Sequence, residues 1–180
     1  MKKIYILFVA AFVLILGACA ESGVSTGGDG NSVESKNTGD KKGAPKKDDG
    51  SKLVDATAQT TEAAGLKVNL GEIKISEDRI AVGMNIENTT TDVLTFYPDM
   101  GGTVVIGDMQ LDANFMYTEG SIGGEIQSGV KKDGVIVFLV SEGKTIDISA
   151  VKELKFIFGD VTTSDYMTSE PVNFTVPVQE

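Results

Sequence analysis

The stretch GLKVNLGEIKISEDRIAVGMNIEN, residues 65–88, decides how the chain folds. Leu66, Val68 and Leu70 alternate with polar neighbours, the period-two pattern of a half-buried strand. Ile73 and Ile75 continue on the opposite parity, so the slip at Gly71 predicts a β-bulge. Ile80, Val82, Met84 and Ile86 alternate again. The polar tetrad SEDR between the two runs predicts a tight reversal, and the pair reads as an antiparallel hairpin.

More strand signals follow at short intervals. DVLTFY (92–97) stops at Pro98, and TVVIGDMQL (103–111) carries the two-residue hairpin signal Gly107-Asp108 in its middle. GVIVFLV (134–140) is apolar on both faces, which predicts a central, fully buried strand. LKFIFGD (154–160) and VNFTVPV (172–178) end the chain, and only DISAVKEL (147–154) suggests a turn of helix. Short strands at this spacing, about seven to nine, predict an all-β antiparallel sandwich over 65–180. The expected core is Val68, Leu70, Val82, Met84, Ile86, Val104, Ile106, Leu111, Val137, Leu139, Leu154, Phe156 and Phe174.

Composition removes several functions. The chain of 180 residues has no His, no Trp, one Cys and a formal charge of −10. Without His, the commonest acid–base group near neutral pH and the commonest metal ligand are missing. One Cys permits no intramolecular disulfide. The acidic balance disfavours nucleic acid, whose phosphates are held by Lys and Arg.

The N-terminus supplies a motif. Lys2 and Lys3 precede an unbroken apolar run from Ile4 to Leu16, then Gly17, Ala18 and Cys19. This is the layout of an export signal over 1–18, with an apolar core short for a membrane span. LGAC at 16–19 resembles the lipobox of bacterial lipoproteins. The resemblance implies a diacylglycerol thioether on Cys19, cleavage just before it, and attachment to the outer face of the cell membrane. The lack of disulfides favours a Gram-positive source. Residues 19–64 are poor in large apolar side chains and rich in Gly, Ser, Asn, Asp and Lys, so they read as a disordered spacer. DATAQTTEAAG (55–65) could form a turn or two of helix.

A second resemblance covers about residues 66–178. RIAVGMNIENTT, GEIQSGVKKDGVIVFLV and VKELKFIFG together resemble a group of bacterial lipoproteins with an immunoglobulin-like domain of unknown function. The resemblance implies an immunoglobulin-like sandwich and transfers no catalytic residue. The Cys–Trp–Cys pattern of antibody-type domains is absent.

Chemistry-bearing patterns are sparse. Asp99, Asp108, Asp112, Glu119, Glu125 and Asp133 fall near loops without a D-x-D-x-D-G spacing, so no metal site and no cofactor is expected. Ser128 and Lys131 have S-x-x-K spacing but sit in a polar turn sequence, and GSIGG (120–124) has no following Lys. The chain reads as no enzyme. Phe96, Tyr97 and Met100, then Phe115, Met116 and Tyr117, lie close to turns and are the candidate partner-binding residues. The expected function is a lipid-anchored, non-catalytic binding module for an envelope protein or cell-wall polymer. The alternatives are a structural or stress-related envelope protein without a specific ligand and, third, a small extracytoplasmic hydrolase.

Overall fold

The computed structural model describes residues 23–27 and 50–179. The expected export signal over 1–18, Cys19 and the spacer residues 20–22 and 28–49 lie outside the described residues. The described residues fold into two antiparallel six-stranded sheets that close on one apolar core, an all-β sandwich.

The first sheet contains β1 (Lys52–Asp55), β2 (Thr60–Ala63), β3 (Leu66–Ile75), β4 (Arg79–Asn88), β8 (Glu119–Gly120) and β10 (Lys131–Leu139). Its order is β1-β3-β4-β10-β8, with β2 also paired to β3. The second contains β5 (Leu94–Phe96), β6 (Thr103–Ile106), β7 (Met109–Asp112), β9 (Gly124–Ile126), β11 (Glu153–Thr163) and β12 (Ser169–Pro177). There β11 pairs with β12 on one edge, and with β6 and β5 in succession along the other. A single helical turn, α1 (Pro98–Gly101), separates β5 from β6.

The hairpin read from residues 65–88 is present. Ser76 N–H donates to the Arg79 carbonyl across the reversal, and β3 and β4 run in register from Leu66↔Asn88 to Ile75↔Ile80. The register shifts between Leu70 and Ile73, where Gly71 and Glu72 together oppose Gly83. That bulge puts Leu66, Val68 and Leu70, and then Ile73 and Ile75, all into the core despite their opposite parity. Ile106↔Met109 closes the second hairpin over Gly107, whose φ is +59°. The turn of helix in DISAVKEL is a 3-10 turn at Ile148–Ala150, capped by the Asp147 carboxylate.

Two expectations are corrected. The sheet begins at Lys52, not at Leu66, so residues expected in the spacer form β1 and β2. DATAQTTEAAG is no helix: Ala63 pairs with Leu66 across a two-residue turn with φ of +48° at Ala64 and +82° at Gly65. Positive φ at both central residues matches the right-handed twist of the flanking strands; Gly65 adopts it freely, whereas the Cβ of Ala64 makes it costly there.

The second correction concerns β10. Its inward side chains are Ile136 and Phe138, whereas Val137 packs with Ala81 and Val135 in a small cluster on the outer face, flanked by Leu139. Runs of apolar residues carry no parity, so either phase was open. The other eleven expected core residues all lie in the main core. Phe138, Phe156, Phe158 and Phe174 contact one another there, with Phe156 and Phe158 stacked at 5.4 Å.

Among the described residues Asn88 is the one fully buried polar side chain. Its Nδ2 donates to the Asp92 and Ile126 carbonyls (2.8 and 2.9 Å), and its Oδ1 accepts from the Thr90 N–H and hydroxyl (2.9 and 2.8 Å). One amide thereby joins the end of β4, the following turn and β9.

Candidate partner-binding surface

Strand β5 alternates, so Leu94 and Phe96 point inward and Tyr97 outward. Phe96 is fully buried, which removes it from the candidate binding residues. Pro98 then opens α1; its fixed φ suits a first helical position and its missing N–H breaks the strand. Gly102 ends the turn, where its N–H donates to the Pro98 carbonyl (3.1 Å) and a side chain would collide with that same oxygen. Met100 is carried at the exposed tip, 66% accessible. Tyr97, Met100 and Gly101 face Phe158, Gly159 and Asp160 of β11 across an open groove of about 560 Å³. The β11–β12 register breaks at this point, between Ile157 and Asp160, and Gly159 takes a φ of +87°.

The second loop is held by Asn114. Its N–H donates to the Val137 carbonyl (2.8 Å), and its own carbonyl accepts from the Tyr117 N–H (3.1 Å). Its side-chain oxygen accepts from the Met116 N–H (3.1 Å). Such an Asx turn fixes the backbone locally without apolar anchorage. Phe115, Met116 and Tyr117 are therefore left exposed, Met116 at 78%. Ala113 N–H donates to the Gly102 carbonyl (2.8 Å), which joins this loop to α1. Five of the six candidate residues, Tyr97, Met100, Phe115, Met116 and Tyr117, are thus exposed on two directly bonded segments.

The surface has a charged flank. Arg79 pairs with Asp78 at 2.7 Å. The Arg79 hydrogen bond holds the Asp78 carboxyl below the ordinary aspartate range. That bond raises Arg79 in turn, with smaller help from the Asp78 charge. Asp99 Oδ1 is buried and has no hydrogen-bond partner among the described residues; it faces Gly123, where a side chain would collide with it.

Other candidate chemistry is dispersed. Among the described residues no group of three or more Cys, Asp or Glu is placed to hold a metal. Ser128 Oγ donates to the Thr90 carbonyl (2.6 Å), while Lys131 pairs with Glu87 at 3.2 Å across the β10–β4 ladder. A second exposed apolar pair, Tyr166 and Met167, caps the β11–β12 hairpin. It was missed because a two-residue apolar insertion in a polar turn carries no periodic signal. No helix among the described residues is long and apolar enough to cross a membrane.

No family model matches the chain, and no curated protein matches its sequence. Solved structures resemble it in three dimensions. A functionally unknown protein from Listeria monocytogenes EGD-e is 11% identical, with a TM-score of 0.51 over 71% of this chain and 86% of that one. The yjhA protein of Bacillus subtilis is 12% identical, with a TM-score of 0.45 over 70% of this chain and 100% of that one. The ycdA protein of Bacillus subtilis, provisionally described as a lipoprotein, is 17% identical, with a TM-score of 0.44. That likeness covers 69% of this chain and 39% of the ycdA chain. At these identities the likeness concerns the fold alone, and the Listeria superposition supports it. The class defined here is an all-β two-sheet sandwich with an apolar surface on two adjoining loops.

Proposed function

We propose that this chain is a lipid-anchored, extracytoplasmic lipoprotein whose sandwich is a non-catalytic module that binds a protein of the cell envelope. Cys19, at the end of the lipobox-like LGAC, carries the lipid in a Gram-positive membrane. Tyr97, Met100, Phe115, Met116 and Tyr117 meet the partner.

The observation that carries this reading is the exposure of those five large side chains on segments joined by the Ala113–Gly102 hydrogen bond. Aromatic residues and Met are enriched where proteins touch one another. Anionic cell-wall polymers are disfavoured, because the chain itself carries a charge of −10.

Photo-crosslinking in living cells tests the proposal. A photoreactive residue at Met116 should trap one stoichiometric protein, and the same residue at exposed Lys144, on a different loop, should not. A diffuse adduct pattern, equal at the two positions, would favour a structural envelope protein without a specific ligand.

A further inference from the structure

Sequence places residues 23–27, GVSTG, only a few positions after Cys19. This segment lies across the outer face of the first sheet, and the face is shaped for it. The β3 bulge sets Gly71 and Glu72 opposite Gly83. A methyl group on either glycine would overlap the Ser25 carbonyl. Neither glycine has a left-handed φ, so the missing side chains serve close approach rather than backbone conformation. Gly27 rests on Gly71 in the same way: a Cβ there would come within 2.9 Å of the Gly71 Cα.

Polar groups complete the notch. A bulge leaves backbone groups outside the regular ladder, and the Glu72 N–H donates to the Ser25 carbonyl (2.8 Å). The Ser25 N–H donates to the Glu72 carboxylate (3.0 Å). Asn85 Nδ2 donates to the Thr26 carbonyl (2.8 Å). The orientation of Asn85 is fixed from behind: its Oδ1 accepts from Asn69 Nδ2 (2.8 Å), and Asn69 Oδ1 accepts from the Thr60 hydroxyl (2.7 Å). Val24 covers the outer cluster of Ala81, Val135 and Val137. This explains a strand that is apolar on both faces in a two-layer protein.

We propose that this glycine notch is an intramolecular peptide-binding site whose occupant is the chain's own Gly23–Gly27 segment, and that docking there is a latch on the membrane tether. The contacts read backbone groups and small side chains, which GVSTG supplies. Docking does not depend on a lipid; its consequence for reach rests on the anchor proposed at Cys19. Four residues at about 3.5 Å each allow at most ~14 Å between Cys19 and the docked Gly23. Released, the 33 residues from Cys19 to Lys52 allow a separation of up to ~115 Å. The latch therefore sets how far from the bilayer the sandwich can bind.

Hydrogen exchange on the full chain in detergent tests docking at the Glu72 amide. Wild type should protect it, and Ser25→Pro, which removes the Ser25 N–H from outside the sandwich, should speed its exchange by about tenfold or more. Gly83→Ala should do the same while β4–β10 ladder amides stay protected; should that variant unfold, Ser25→Pro decides. An unprotected Glu72 amide in wild type, or unchanged protection in Ser25→Pro, overturns the docking.

Reach is read separately on vesicles. A Lys144→Cys variant carries a donor dye on its one non-lipidated thiol, and acceptor lipids report height. Ser25→Pro should lower transfer, and equal transfer overturns the latch. A wild-type chain that fails to associate with vesicles would refute the lipid anchor and the reach it implies, while the Glu72 result still decides the docking.

Discussion

Replacing Asn88 should show how much of the sandwich hangs on one side chain. Asn88→Ala removes four hydrogen bonds. The bond to the Ile126 carbonyl is fully buried, so its loss strands an acceptor at about 1–3 kcal/mol. The bonds to Asp92 and Thr90 are part-buried, where water can substitute, and each contributes about 0.5–1 kcal/mol. With one bond to Asp92 and two from Thr90, the sum is about 2.5–6 kcal/mol, or a fall in Tm of roughly 8–24 °C for a domain of this size. Asn88→Asp keeps the acceptor for Thr90 but aims an oxygen at two carbonyls, so it should be at least as harmful at pH 7. Burial and those carbonyls raise the carboxyl pKa in the folded state, so the deficit should shrink as pH falls and the group becomes a donor. Urea unfolding of wild type and both variants at pH 7 and pH 5 measures this. Loss of less than 1 kcal/mol in Asn88→Ala, or a pH-independent deficit in Asn88→Asp, would refute the reasoning.

Three further outcomes can be checked on the same material. Phe96→Ala should destabilise by about 3–5 kcal/mol, because it empties a fully buried site. Tyr97→Ser and Phe115→Ser should stay within about 0.5 kcal/mol of wild type yet abolish the crosslink, which separates core from surface. Acid unfolding follows from three aspartates that, together with Asp78, are held below their ordinary range. Asp55 is held by the Thr57 hydroxyl, Asp147 by the Ser149 hydroxyl, and Asp165 by the Met167 N–H. Depressed folded pKa values give stability that is complete above the unfolded value and lost as pH falls through the folded one. With no His in the chain, stability should be flat from about pH 8 to pH 5 and decline below about pH 4. Replacing the three aspartates with Asn should flatten that decline in an acid titration followed by circular dichroism.

Strand alternation was legible wherever one face met water. Residues 65–88 gave hairpin, turn and bulge from parity alone, because a single slip moves every side chain to the other face. The failures share a cause. GVIVFLV has no parity to read, and the short strands β1 and β2 lie in polar sequence whose pairing comes from β3 rather than from its own apolar residues. Phe96 was separable from Tyr97 only by counting from Leu94. The glycine notch left two traces in the sequence, a mid-strand Gly83 and a doubly apolar β10, but its occupant lies far away along the chain and nothing local names it.

The proposed function depends most on residue 19. Mass spectrometry of the N-terminal peptide, from protein extracted from its native membrane, should find a chain that begins at Cys19 and carries diacylglycerol on Sγ. A free thiol at that residue, with residues 1–18 still attached, would contradict it.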